Sequence, residues 1–101
     1  MSKNLTILVA DYDSKDLFLL SRAFKKTGLK HFVATVKNGQ EAIDYLSGNP
    51  PFNDRTQAPL PNLVLLDLKM PKASGFDVLT WLQTQKPLRH VPVIAFSSSA
   101  V

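Results

Sequence analysis

Four strand-length apolar runs, Leu5 to Ala10, Phe32 to Val36, Leu63 to Leu68 and Val91 to Phe96, are separated by stretches in which apolar residues recur at helical spacing. No other feature constrains the fold as much. In a chain that runs β-α-β-α-β-α-β, each helix carries it back to the edge where the next strand starts, so the strands lie parallel. The first and third runs do not alternate apolar with polar residues, which is the pattern of strands covered on both faces. From Ser14 to Thr27, Leu17, Leu20 and Phe24 recur at i, i+3 and i+7. Asp13 or Ser14 serves as N-cap there, Asp16 lies in the first turn, Lys25 and Lys26 in the last, and Gly28 ends the helix. A second helix over 40–47 sets Ala42, Ile43 and Leu46 on one face, and a third over 75–84 does the same with Val78, Trp81 and Leu82. These patterns predict an α/β fold, a doubly wound parallel sheet, in one domain of 101 residues. Four of the seven prolines fall between Pro50 and Pro61, a segment that reads as a rigid surface excursion.

Right-handed crossovers collect the carboxyl ends of all the strands on one edge, where ligands bind in such sheets. Asp11, Tyr12 and Asp13 follow the first run, Lys37 and Asn38 the second, and Ser97, Ser98 and Ser99 the fourth, while Asp67 closes the third. Asp67 is the anomaly, because it sits inside LVLLDL, where an ionised carboxylate is costly unless a cation or several donors meet it. With the first and third strands adjacent, Asp11 and Asp67 deliver carboxylates to one spot, a donor set that backbone carbonyls and waters would complete for Mg²⁺. Asp11 and Asp13 also read as plain helix caps, and Ser97 as an ordinary turn residue. Asp67 has no such plain reading, since Asp is depleted from strands. His31 and His90 precede strands and so belong to the opposite edge, and Phe76 and Trp81 read as packing residues of the third helix.

Composition narrows the chemistry. The absence of cysteine removes disulfides, thiolate metal sites and thiol nucleophiles. A net charge of +4 permits polyanion binding, but the cations are scattered, with Lys25 and Lys26 the one adjacent pair and no interleaved aromatics, so no nucleic-acid partner is expected. No apolar run reaches membrane-span length and residues 1–4 are polar, which predicts a cytoplasmic protein with no membrane partner. A Walker loop is absent, as is the Ser/Thr-rich phosphate loop of flavodoxins. Asp11-Tyr12-Asp13 has the D-x-D form of haloacid dehalogenase phosphatases. Lys15, however, stands where that motif prefers Thr or Val, the chain is short for that family, and Asp67 would go unexplained. The expectation is a protein that is not an enzyme.

The segment LVLLDLKMPKASGFDVLTWL resembles the phosphoacceptor motif of the receiver domains of two-component response regulators. ILVADYDSKD resembles their acidic-pair segment, and VPVIAFSS the strand that ends in their switch hydroxyl. The proline-rich excursion is similar to that of single-domain receivers that partner phytochrome-type and hybrid histidine kinases. The resemblance implies a chemotaxis-receiver-like, flavodoxin-like fold with strand order 2-1-3-4, the family's fifth strand and last helices being absent from this chain. It implies that Asp67 is the phosphoacceptor for a kinase phosphohistidine, with Mg²⁺ held by Asp11, Asp67 and the backbone carbonyl of Lys69, and Ser97 as the switch hydroxyl. Tyr12 replaces the family's second acid, so Mg²⁺ binding is expected to be weak; moving Asp13 into that role would need a bulge. The natural product is expected to continue past Val101, or the chain to complete its sheet from another copy through the edge Val93 to Phe96. Two functions are implied: a phosphoryl-accepting regulator that signals by a surface change, or a degenerate receiver acting as a phosphorylation-independent interaction module.

Overall fold

The computed structural model describes residues 5–28 and 31–97. Its elements are β1 (Leu5–Ala10), α1 (Ser14–Lys26), β2 (His31–Val36), α2 (Gly39–Ser47), β3 (Leu63–Asp67), α3 (Gly75–Gln83) and β4 (Val93–Phe96), with a single 3₁₀ turn, Lys86–Leu88, before β4. The strands form one parallel sheet in the order β2-β1-β3-β4, as the alternation of strand and helix requires.

The two-residue period of β1 divides the core. Leu8 and Ala10 point to one face, where Ala34, Val36, Val64 and Leu66 meet Ala42, Tyr45 and Leu46 of α2 and Val78 and Leu82 of α3. Ile7 and Val9 point to the other, against Leu20 and Phe24 of α1. Because both faces are covered, β1 is buried from Thr6 onward, which is why its sequence carries no alternation. The outer face of α1 leaves Phe18 and Leu19 exposed.

Three strand boundaries differ from the sequence expectation. β4 starts at Val93 rather than Val91, because the Val91 N–H closes the preceding turn onto Leu88 O at 3.1 Å and Pro92 has no N–H to give. β3 stops at Asp67 rather than Leu68, where the chain bends back so that Lys69 N donates to Asp67 Oδ1. His31 is the first residue of β2, opposite Leu5, rather than the residue before it.

The proline-rich segment lies on the surface but is tied down. The Tyr45 hydroxyl donates to Pro59 O at 2.8 Å, the Tyr45 and Phe52 rings stand 5.1 Å apart, and Ala58 is buried. Burial pushes the Tyr45 phenol up, against the opposing charge of Arg55, and keeps it a donor. Asn62 then sets the start of β3: its N–H donates to Thr6 O at 2.7 Å and its Oδ1 accepts from Thr6 N at 2.8 Å. Among the described residues no helix is long and apolar enough to cross a membrane.

Candidate functional site

The register between β1 and β3 builds the site. Ala10 pairs with Leu66, so Asp11 and Asp67 stand one step further along two neighbouring strands, at the carboxyl edge of the sheet. Both are fully buried. The Asp11 N–H extends the ladder to Val36 O at 3.0 Å, which fixes its backbone, and Asp11 Oδ1 accepts from Asp13 N at 2.9 Å. On the other strand, Asp67 Oδ1 accepts from Lys69 N at 3.0 Å. Each carboxylate thus closes a tight turn with the amide two residues on, a geometry that short Asp side chains favour.

Asp13 is committed elsewhere. It is the N-cap of α1, exposed, with Oδ1 accepting from Lys15 N at 2.8 Å. β1 ends at Ala10, with Asp11 still in step with Val36 O, and Tyr12 is 63% exposed. Ser97 follows Phe96, which pairs with Asp67, so it reaches the same edge one residue past the phosphoacceptor candidate, and it is exposed. Ser98 and Ser99 lie outside the described residues. Lys69 is exposed, as is His90 on the far side of β4. Lys37 is exposed, and Asn38 caps α2 through Glu41 N at 2.8 Å.

The turn after Asp67 is braced from several sides. Leu68 N donates to Phe96 O at 2.8 Å, and Leu68 O accepts from Gly75 N at 3.2 Å. Gly75 opens α3 so close beneath the strand end that a Cβ there would collide with the Asp67 carbonyl oxygen and lie 2.7 Å from Leu68 Cα. Ser74 and Asp77 form a reciprocal capping box on α3. Between these anchors Lys72 and Ala73 take left-handed conformations, with φ of 49° and 77°. Sequence reasoning missed that feature, as it missed the partners of Arg55, whose guanidinium donates to Tyr45 O, Leu46 O and Ala58 O at 2.8 to 3.1 Å.

Two fully buried carboxylates at adjacent strand ends repel each other and are costly to desolvate, and a hard divalent cation offsets both terms. Oxygen ligands from two acids, a backbone carbonyl and water suit Mg²⁺ or Mn²⁺, so the residues present fit such an ion. The described residues contain no cluster of three His, Cys, Asp or Glu side chains placed to hold a metal.

Two buried acids thus meet the carboxyl edge of a parallel sheet at the ends of its two central strands. The family model of the response regulator receiver domain matches residues 7–101, and the chain belongs to that family. It is 31% identical over 93 residues to a probable methanogenesis regulatory protein, FilR2, of Methanothrix harundinacea, covering 92% of this chain and 57% of that protein. It is 28% identical over 93 residues to response regulator Rcp1 of Synechocystis, covering 92% of this chain and 61% of that protein. The phosphorylated cyanobacterial phytochrome response regulator RcpA superposes with a TM-score of 0.87 at 30% identity, over 98% of this chain and 69% of that one. The Mn²⁺-bound form of Rcp1 superposes with a TM-score of 0.86 at 27% identity, over 96% of this chain and 68% of that one. The chain spans about three-fifths of the length of the first two relatives. The chain is therefore a receiver domain of the two-component response regulator family, with the flavodoxin-like fold and strand order 2-1-3-4.

Proposed function

We propose that this receiver accepts a phosphoryl group on Asp67 from the phosphohistidine of a phytochrome-type or hybrid histidine kinase in the cytoplasm, with Mg²⁺ as cofactor. The observation that carries the reading is the pair of fully buried carboxylates, Asp11 and Asp67, one register step beyond Ala10 and Leu66. An Asp67 carboxylate oxygen attacks phosphorus in line; the new O–P bond forms as the N–P bond to the kinase imidazole breaks, and the imidazole leaves with the bonding pair and takes a proton. Asp11, Asp67 and the Lys69 carbonyl would hold Mg²⁺, which neutralises charge on the phosphoryl oxygens. Lys69 N–H holds Asp67 Oδ1, orienting the carboxylate before reaction. Ser97, beside Asp67 in the next strand's path, is the hydroxyl that donates to the acquired phosphoryl oxygen and so carries the change to β4. The phytochrome response regulators among the structural neighbours support the kinase class. The test is incubation with Mg²⁺ and acetyl phosphate, followed by mapping of an acid-stable, hydroxylamine-labile adduct; an adduct on any residue but Asp67 overturns the assignment.

Tyr12 favours a second reading. Its side chain is solvent-exposed, and by resemblance it occupies the sequence position of the family's second acid, so a receiver with a weakened ion site, serving as a phosphorylation-independent interaction module, is the competing function. Tyr12→Asp is expected to tighten Mg²⁺ binding by about tenfold, since it adds one anionic oxygen to a site of few charged ligands. Isothermal calorimetry on both forms checks this, and equal affinities would assign the missing oxygen to another group.

A further inference from the structure

The first turn of α2 uses all four of its N-terminal amides, and two of them go to the turn that follows the phosphoacceptor candidate. Glu41 N donates to Asn38 Oδ1 at 2.8 Å and Ala42 N to Asn38 O at 3.1 Å, as in an ordinary capped helix. Gly39 N instead donates to Ala73 O, and Gln40 N to Lys72 O, both at 3.0 Å. Both residues are held at positive φ, a conformation that is strained for a non-glycine residue and persists only where its surroundings over-determine it. The contact is backbone on backbone. A Cβ at Gly39 would collide with the Ala73 carbonyl oxygen and stand 2.6 Å from its carbon and 3.0 Å from Ala73 Cβ.

We propose that Gly39 is a positioning residue for the ion and phosphoryl site: the N-terminus of α2 clamps the Lys72–Ala73 carbonyls and thereby fixes where the Lys69 carbonyl stands relative to Asp11 and Asp67. This rests on the reading of Asp11, Asp67 and Lys69 as the ion-binding set. The path is short and covalent. From Asp67 the chain runs through Lys69 and the buried Met70 to the clamped pair, and then to Ser74 and Gly75 at the start of α3. The strand fixes one end of this loop, α3 fixes the other, and the carbonyls of its middle, Lys72 and Ala73, are held by α2.

Two variants break the clamp differently. Gly39→Ala inserts the colliding methyl, and Gln40→Pro deletes one donor while keeping a φ that the first helical turn accepts. Tyr45→Phe, which removes the hydroxyl bond to Pro59 O elsewhere on α2, serves as the control for a general loss of stability. Two readouts are taken: Mn²⁺ affinity by electron paramagnetic resonance of the free ion, and hydrogen exchange of the Lys69 amide in metal-free protein. Both clamp variants are expected to lose about 10-fold or more in Mn²⁺ affinity, the usual scale for losing a group that orients a metal ligand, and to speed Lys69 exchange by a similar factor. Tyr45→Phe is expected to change neither beyond its effect on global unfolding. Wild-type Lys69 exchange in either folded clamp variant, or equal losses in the control, overturns the proposal. If wild-type protein binds no Mn²⁺, or binds it equally well as Asp67→Asn, the ion reading fails while faster Lys69 exchange in the clamp variants still upholds the positioning role.

Discussion

Asp67→Asn is expected to accept no phosphoryl group at all and yet to fold as well as the wild type. The amide occupies the same volume, and its Oδ1 keeps the acceptor role toward Lys69 N, now 3.0 Å away, so the turn after β3 has no reason to open. What disappears is the carboxylate proposed as nucleophile, one of two acids buried at the neighbouring ends of β1 and β3. Removing a like charge from a desolvated pair relieves repulsion. The melting temperature is therefore expected to stay level or rise, each kcal/mol being worth about 4–8 °C in a domain of this size. Acetyl phosphate and Mg²⁺ should leave the variant unlabelled under conditions that label the wild type, and Mn²⁺ affinity should fall by about tenfold or more with the loss of a charged ligand. Undiminished labelling would move the phosphoacceptor elsewhere. A variant that cannot fold would mean that the charge itself holds the strand ends together.

How much of this was legible in the sequence depended on whether a residue's role follows from its type. Leu5 to Ala10 and Leu63 to Leu68 read as doubly covered strands because a buried parallel strand has no polar face to show. Asp67 stood out because a carboxylate within leucines needs a reason. Asp13 was legible as one of two caps for α1, and the structure selects it through the Lys15 amide. The clamp on the loop was not legible: Lys72 and Ala73 are ordinary residues in the left-handed region, a conformation that composition signals only when the residue is Gly or Asn. The start of β4 was misplaced because Val91 is apolar and half-buried, yet it is buried by the turn it closes rather than by strand pairing. Arg55 gave no signal either. A lone cation in a proline-rich stretch looks like solvated surface until its three carbonyl partners, remote in sequence or on its own loop, are known.

Arg55→Ala is expected to cost stability on the scale of a core truncation, at a site away from the carboxyl edge of the sheet. Helix α2 ends at Ser47 with last-turn carbonyls in need of donors, and a cation there also complements the helix dipole. The guanidinium supplies both, through Nη1 to Tyr45 O at 2.8 Å and Nη2 to Leu46 O at 3.0 Å, and the same Nη1 reaches Ala58 O at 3.1 Å. One planar group thus pins the proline-rich segment onto the helix, and the Thr56 hydroxyl and amide, bonding Asp54 and holding its carboxyl below the usual range, shape the turn that presents it. Truncation removes all three of these bonds, leaving Tyr45 O the Gly48 N–H at 3.2 Å, and hydrogen bonds from a charged donor are worth about 1.5–3 kcal/mol each. A net loss of about 2–4 kcal/mol is expected, lowering the melting temperature by roughly 10–20 °C. Arg55→Lys should recover less than half of it, because a single ammonium cannot span carbonyls on two elements in a fixed plane. Arg55 sits at the far end of α2 from Gly39, so at temperatures where the variant is folded its phosphoryl labelling should match the wild type. A melting point within a degree or two of wild type would show that Phe52, Ala58 and the Tyr45 hydroxyl hold the segment without the cation.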